Sequence, residues 1–496
     1  MDLVFRDVRI VDGTGAPSYV GDVAVSDGRI SAIGNVDDTG SVDRGGTTTT
    51  VDGKGTLVLS PGFVDTHTHD DGALLAHPGL EFKVAQGCTS LVIGNCGFSA
   101  VPFGGPALWA KTDATWDGLA GYRDAIAANP PAANAIALVG HNTVRAVAMG
   151  EDKRSPTAAE LDRMRGEVGR AMEDGACGFS TGLIYRPGRY AATDEIVELA
   201  TVAGAHGGIY ATHMRNEGDR LLEAVDEALH IGRSSGCPVH ISHHKAAGRR
   251  NWGRCKDSLA KVDEANAAGA DVTLDVYPYT AGSGPMVQYV NLDRIDVEWA
   301  ENTRIASCPA FRAYEGRALV DVAADEGIAL DELVRRILTA PKGDRTVSIT
   351  AGMSEEDVET NLRHPLMMIG SDGIPDLKGV PHPRLFGTMP RILGEYVRAR
   401  GVLTLEEAVR RMTSLSCERF GLAGRGRIAE GWWADLVLFD ADVIVDTATY
   451  DEPKREPVGV SCVVVNGAVV YDAARGGHTG ARPGALLRYR AEELPA

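Results

Sequence analysis

A chain of 496 residues with 44% apolar and 24% charged content has the make-up of a globular protein large enough to bury a sizeable core. Its formal net charge of −18 opposes nucleic-acid and anionic-membrane partners, whose affinity is built from clustered Lys and Arg, and no run of about 18 uninterrupted apolar residues offers a membrane span. Eight cysteines scattered without dense spacing argue against a disulfide framework and fit a reducing cytoplasm.

The N-terminus, MDLVFRDVRIVDG, alternates apolar and charged residues and lacks the basic and apolar regions of a signal peptide, so it reads as a strand of the mature fold. Alternation returns in DVAVSDGRISAIG and, near the other end, in ADLVLFD and SCVVVNGAVVYD. These patterns predict one small β-sandwich assembled from residues 1–56 and 424–496. The polar stretch DDTGSVDRGGTTTT is the one segment that reads as a flexible linker.

Between the flanks, short β-branched runs alternate with helical patterns. LSPGFVDTHTH, TSLVIGNC, NAIALVGH, CGFSTGLI, GIYATHM, PVHISHH, DVTLDVYPY and LMMIGSDG read as eight strands. Stretches such as AAELDRMRGEVGRAMEDG and GDRLLEAVDEALHIGRSSG carry apolar residues at helical spacing and end on glycine. Eight such units predict an α/β fold, a (β/α)8 TIM barrel over residues 57–423. Residues 281–364 or so are too many for one connection and predict an inserted lid segment over the barrel mouth.

Polar residues at the carboxyl ends of barrel strands share one rim, where such barrels keep their chemistry. His67 and His69 end the first predicted strand, two residues apart and so on one side of it. Cys96 ends the second, His213 the fifth, His243 and His244 the sixth, and Asp372 the eighth. Taken singly, each has a plainer reading: a satisfied core histidine, a buried thiol, a turn aspartate before Gly373. Together, candidate ligands at five strand ends point to a metal, and a thiolate among imidazoles favours zinc over magnesium or calcium.

The motifs PGFVDTHTHDD, IGNCGFS, FSTGLIYRPGRYA, THMRNEG, ISHHK, DVYPYTAGS, GSDG with HPRLFGTMPRILGEY, and GRIAEGWWADLVLFD resemble the N-acyl-D-amino-acid deacylases (D-aminoacylases) of the amidohydrolase superfamily over nearly the whole chain. HTH with a late strand-end aspartate marks the superfamily, and GNCG with SHHK narrows it to the branch that uses a cysteine in place of a carboxylated lysine or a glutamate. The resemblance implies a tightly held zinc on Cys96, His213 and His243, with His67, His69 and Asp372 forming an adjacent, weaker site. Of the tandem histidines, His244 faces the other way and is expected behind the wall.

The resemblance further implies hydrolysis of the amide of a small-molecule N-acyl-D-amino acid, with Asp372 carrying a proton from water to the departing nitrogen. Lys245, Tyr277, Ser283, Arg384 and Tyr185 are the residues it implies around the substrate, Arg384 as a two-pronged grip on the α-carboxylate. Arg186 and the Gly282–Ser283 turn are expected near the pocket, where an arginine would favour an acidic D-amino acid. A broad or apolar preference ranks first and an N-acyl-D-glutamate or D-aspartate preference second. A cyclic-amide hydrolase of the hydantoinase or dihydroorotase kind shares HxH and the late aspartate but usually employs a carboxylated lysine, and a catalytically silent binding barrel would lack part of the ligand set.

Overall fold

Eight short parallel strands lie side by side in chain order in the computed structural model, which describes residues 2–36, 49–102 and 115–490. They are β1 (Phe63–Asp65), β2 (Cys88–Ile93), β3 (Asn134–Gly140), β4 (Gly178–Gly182), β5 (Ile209–His213), β6 (Val239–Ile241), β7 (Val272–Val276) and β8 (Met367–Ile369). The ring closes just past the ends of β1 and β8. There the Asp372 amide donates to the His67 carbonyl at 2.7 Å, the His69 amide to Gly373 at 3.2 Å, and the Thr66 hydroxyl to Ile369 at 2.9 Å. The segments that close the barrel are therefore the ones that carry HTH and GSDG.

The expected first strand, LSPGFVDTHTH, divides between two sheets. Val58–Pro61 pairs with Leu3–Ile10 and Leu436–Phe439 in the small sheet, whereas only Phe63–Asp65 joins the barrel. Gly62 makes the passage, since a Cβ there would lie 2.1 Å from the Thr89 side chain. His67 and His69 consequently stand beyond the strand and not at its last residues, held by the ring-closing hydrogen bonds.

Among the described residues the small sheet has nine strands, drawn from both ends of the chain. An isolated bridge between Arg29 and Trp433 folds it back on itself around Phe5, Ile10, Val23, Leu59, Leu436 and Val464. Residues 37–48, most of the linker-like stretch, lie outside the described residues. The barrel helices form for local reasons as well as by packing. Ala158–Glu173 starts on a reciprocal Thr157–Glu160 capping box, and Leu221–Ser235 stops at Gly236, whose φ of +73° suits a residue without Cβ.

After β7 the chain builds a three-stranded antiparallel sheet (Ala281–Pro285, Thr303–Ser307, Val347–Ala351) with helices packed on a separate apolar cluster that includes Met286, Ile305, Leu319, Leu333 and Ile337. The expected insertion to about residue 364 runs too far. Helix Glu355–Arg363 is a barrel helix, packed beside Cys255–Ala267 and tied to it by Asp357, which accepts from the Gly253 amide at 2.8 Å. At the opposite end of the barrel, helix Ser414–Phe420 plugs the strands with Leu415 and Phe420.

Candidate active site

At the carboxyl rim six side chains from five units converge. The Cys96 sulfur lies 3.3 Å from His67 Nε2, 3.3 Å from His243 Nε2 and 3.6 Å from His213 Nδ1. Asp372 Oδ1 lies 3.1 Å from His69 Nε2 and 3.6 Å from His67 Nε2. Two sets follow, Cys96–His213–His243 and His67–His69–Cys96–Asp372, each with its donor atoms within 4.8 Å of one another and all buried. The sequence expectation of two adjacent sites sharing one mouth has this geometry, with Cys96 common to both sets.

Three of these residues hold a left-handed backbone without being glycine: Cys96 at φ +54°, His243 at +34° and Asp372 at +49°. Each such position costs about 1–3 kcal/mol and persists only where its surroundings over-determine it. Here they do. Cys96 sits in a tight turn between Gly94 and Gly97, and a Cβ on Gly94 would lie 2.1 Å from the Leu138 carbonyl. The His243 amide donates to Asp275 Oδ1 at 2.8 Å, and Asp372 is pinned by its bond to His67.

The electrostatics suit a cation. Burial alone would raise the Cys96 thiol, but His67 and His243 with the His213 contact carry it well below the usual thiol range. Burial opposes charge on His67 and His69, yet Cys96 and Asp275 push His67 well up, and Asp372 and Cys96 bring His69 to about 9. Protons thus gather on imidazoles around a thiolate, and a metal ion entering the cluster exchanges with them. Asp372 would also be raised by burial; the Arg384 guanidinium and the imidazoles hold it far below the carboxylate range instead.

Two carboxylates that the motif reading did not single out stand behind the imidazoles. Asp275 lies 3.4 Å from His67 Nδ1 and 2.7 Å from His240 Nε2. Glu217 lies 3.4 Å from His213 Nε2, 3.0 Å from His243 Nδ1 and 2.6 Å from Lys245 Nζ. Both had a sequence signal: an acid inside the buried strand VTLDV, and an acid four residues after His213. A third unforeseen group, Lys83, is fully buried and ties Asp65, Asp70 and Ser371 together beneath the HTH turn.

Above the cluster opens a cavity of about 520 Å³, within the range of small-molecule sites. His213, Asp372, Lys245, Tyr277, Ser283 and Tyr185 line it, together with Tyr289, Thr350 and Met353 from the inserted segment or its end. The Tyr185 ring meets His213 edge-on at 4.6 Å, and its hydroxyl lies 3.0 Å from that of Tyr289. Arg384 is placed differently from the expectation of an open carboxylate grip. It is fully buried, stacks on Tyr277 at 4.5 Å and pairs with Asp372 at 2.9 Å, leaving Nε and Nη1 without a hydrogen-bond partner among the described residues. Arg186 is exposed and outside the lining, its amide donating to Gln288. His244 lies behind the wall between Asn361 and Ser258, at 2.8 Å from each.

A model of the amidohydrolase family matches residues 49–287 and 257–471. The D-aminoacylase of Alcaligenes xylosoxydans xylosoxydans is 42% identical over 97% of this chain and 96% of that protein. The N-acyl-D-glutamate deacylase of the same organism is also 42% identical, over 98% and 96%. A crystal structure of the N-acyl-D-glutamate deacylase of Bordetella bronchiseptica, complexed with zinc and a phosphonate inhibitor that mimics the reaction's tetrahedral intermediate, aligns with a TM-score of 0.89 at 39% identity, over 98% of this chain and 99% of that one.

Proposed function

The chain belongs to the amidohydrolase family, and from that premise we propose that it is a zinc-dependent hydrolase of N-acyl-D-amino acids, releasing a D-amino acid and a carboxylate. One observation carries the reading: Cys96, His213 and His243 bring a sulfur and two imidazole nitrogens to one buried point beside Asp372, at the floor of a cavity that also holds Lys245 and Tyr277. A thiolate with carboxylate-backed imidazoles is a zinc donor set, and the buried cluster fits the ion. His67, His69 and Asp372, with Cys96 shared, supply the second, weaker site. When bound, zinc polarises the amide carbonyl and eases deprotonation of water.

The protein's own residues do the rest. Asp372, held ionised by Arg384, accepts a proton as the water oxygen bonds to the carbonyl carbon. It passes that proton to the nitrogen as the C–N bond breaks, and its low basicity favours this second transfer. Lys245 meets the substrate α-carboxylate as a point charge, while the Tyr277 hydroxyl and Ser283 fix its direction. Arg384 acts from below, through Asp372 and the Tyr277 ring. Tyr185 packs the wall beside His213. Directional contacts around one carbon are what distinguish the D from the L substrate.

For the amino-acid side chain we place a broad or apolar preference ahead of an acidic one. Thr350, Met353 and Trp252 line the cavity with Arg249, which lies over Trp252, and Arg250, which is paired with Asp219, whereas Arg186, the residue that pointed to an acidic substrate, is exposed beyond it. A reducing cytoplasm suits eight cysteines that are all free and buried. The test is a chiral hydrolysis assay over a panel of N-acetyl-D- and L-amino acids, coupled to metal quantification. Hydrolysis of D substrates alone, with zinc retained on purification, is expected. Turnover of hydantoins without any N-acyl-D-amino acid turnover, or protein that neither holds nor responds to zinc, would overturn the proposal.

A further inference from the structure

Glu217 touches both halves of the site. His213 and His243 meet edge to face, with ring centroids 4.3 Å apart. His213 turns Nδ1 toward the Cys96 sulfur and Nε2 toward Glu217 Oε2; His243 turns Nε2 toward the sulfur and Nδ1 toward Glu217 Oε1. An imidazole nitrogen that binds a metal must be bare, so its proton has to sit on the opposite nitrogen, and the acceptor there sets ring orientation and tautomer. Glu217 faces both of these nitrogens, at 3.0 Å from His243 Nδ1 and at 3.4 Å from His213 Nε2, which makes no hydrogen bond among the described residues.

The same Oε1 accepts from Lys245 Nζ at 2.6 Å, and Nζ also lies 2.8 Å from His243 Nδ1. These contacts compete. If Nδ1 accepts from Lys245, the remaining proton of a neutral His243 faces the sulfur and the ring cannot bind an ion. If Nδ1–H and Lys245 both donate to Glu217, Nε2 is free. We propose that Glu217 is a positioning residue with two loads: it selects the metal-binding tautomers of His213 and His243, and it holds the Lys245 ammonium at the substrate end of the cavity. The inference rests on the zinc-dependent reading above and adds that ion binding and carboxylate binding draw on one shared acceptor.

The experiment measures zinc affinity by chelator competition and the visible spectrum of the cobalt-substituted protein, so that its readout does not require turnover. Glu217→Gln keeps the size but sets an NH2 against a ring N–H, and its zinc affinity should fall about 10- to 100-fold with an altered cobalt spectrum. At saturating zinc its kcat should drop and its KM rise, because Lys245 is no longer held at the substrate end of the cavity. Lys245→Met should separate the two loads: zinc affinity equal to or tighter than the parent, with KM raised. Zinc affinity and cobalt spectrum unchanged in Glu217→Gln would overturn the proposal. So would a Lys245→Met protein that loses about tenfold or more in zinc affinity, a result that stands even if Glu217→Gln fails to fold. The expected zinc results in a protein inactive on every N-acyl-D-amino acid would uphold the positioning role and remove the deacylase reading alone.

Discussion

Toward the amino ends of the strands, Val64, Ile136, Ile209 and Met368 share one apolar cluster with Leu415 and Phe420 from a single short helix. At the carboxyl ends the same barrel presents His67, Cys96, His213, His243 and Asp372. The lower end is built round apolar packing, with ion pairs such as Arg419–Asp271 and Arg425–Asp435 beside it. The upper end puts Cys96, His243 and Asp372 into left-handed backbone and buries charged groups that only one another can satisfy. Packing at one end thus offsets strain at the other, which divides substitutions into those that remove chemistry and those that remove stability.

The largest effect expected on this division is at Asp372. Asp372→Asn should lower turnover on the order of 10²- to 10⁴-fold, the usual worth of a positioned acid–base group, while the zinc on Cys96, His213 and His243 is retained. A variant with normal turnover would remove the proton-transfer role. Cys96→Ala should go further on the metal side and lose the tightly bound zinc, since the sulfur is common to both ligand sets. Zinc analysis of dialysed protein decides it.

Phe420→Ala is the opposite kind of change. The ring is fully buried and meets His240 edge-on at 5.1 Å, so truncation should cost about 3–5 kcal/mol of stability by denaturant unfolding. Turnover per folded molecule should be unchanged. If Phe420→Ala lost turnover in proportion to Asp372→Asn without unfolding, the two ends would not be separable as argued.

The division also accounts for what the sequence made legible. The eight strands were readable because a buried parallel strand is a short β-branched run between helical periods, and His67, Cys96, His213, His243 and Asp372 were readable because each falls at the close of such a run. What escaped depends on contacts between distant residues. Pairing partners alone decide that LSPGFVDTHTH leaves one sheet for another at Gly62. The pairing of Asp275 with His67, 208 positions away, has no local pattern. Helix Glu355–Arg363 looks like the insertion's other helices until its packing against the barrel is seen. The exposed position of Arg186 and the buried one of Arg384 follow from neither residue type nor spacing.

The smallest expected effect concerns acid sensitivity, which should belong to the upper end. His382 accepts from the Arg384 amide through Nδ1 and donates to the Ala281 carbonyl through Nε2, each at 3.0 Å, so it is fixed as a neutral ring. Burial first, then the Arg384 charge, hold it well below the ordinary imidazole value against the weaker pull of Asp372. Above about pH 6.5 neither the folded nor the unfolded chain protonates this group, and its contribution is complete. As the pH falls below that value the unfolded chain takes up a proton that the folded one refuses, and stability declines. His382→Gln removes the titration, so unfolding free energy followed by denaturant between roughly pH 6.5 and 5 should fall less steeply than in the parent. Parallel curves for the parent and His382→Gln would mean that the acid-sensitive groups lie elsewhere than between the inserted sheet and Arg384.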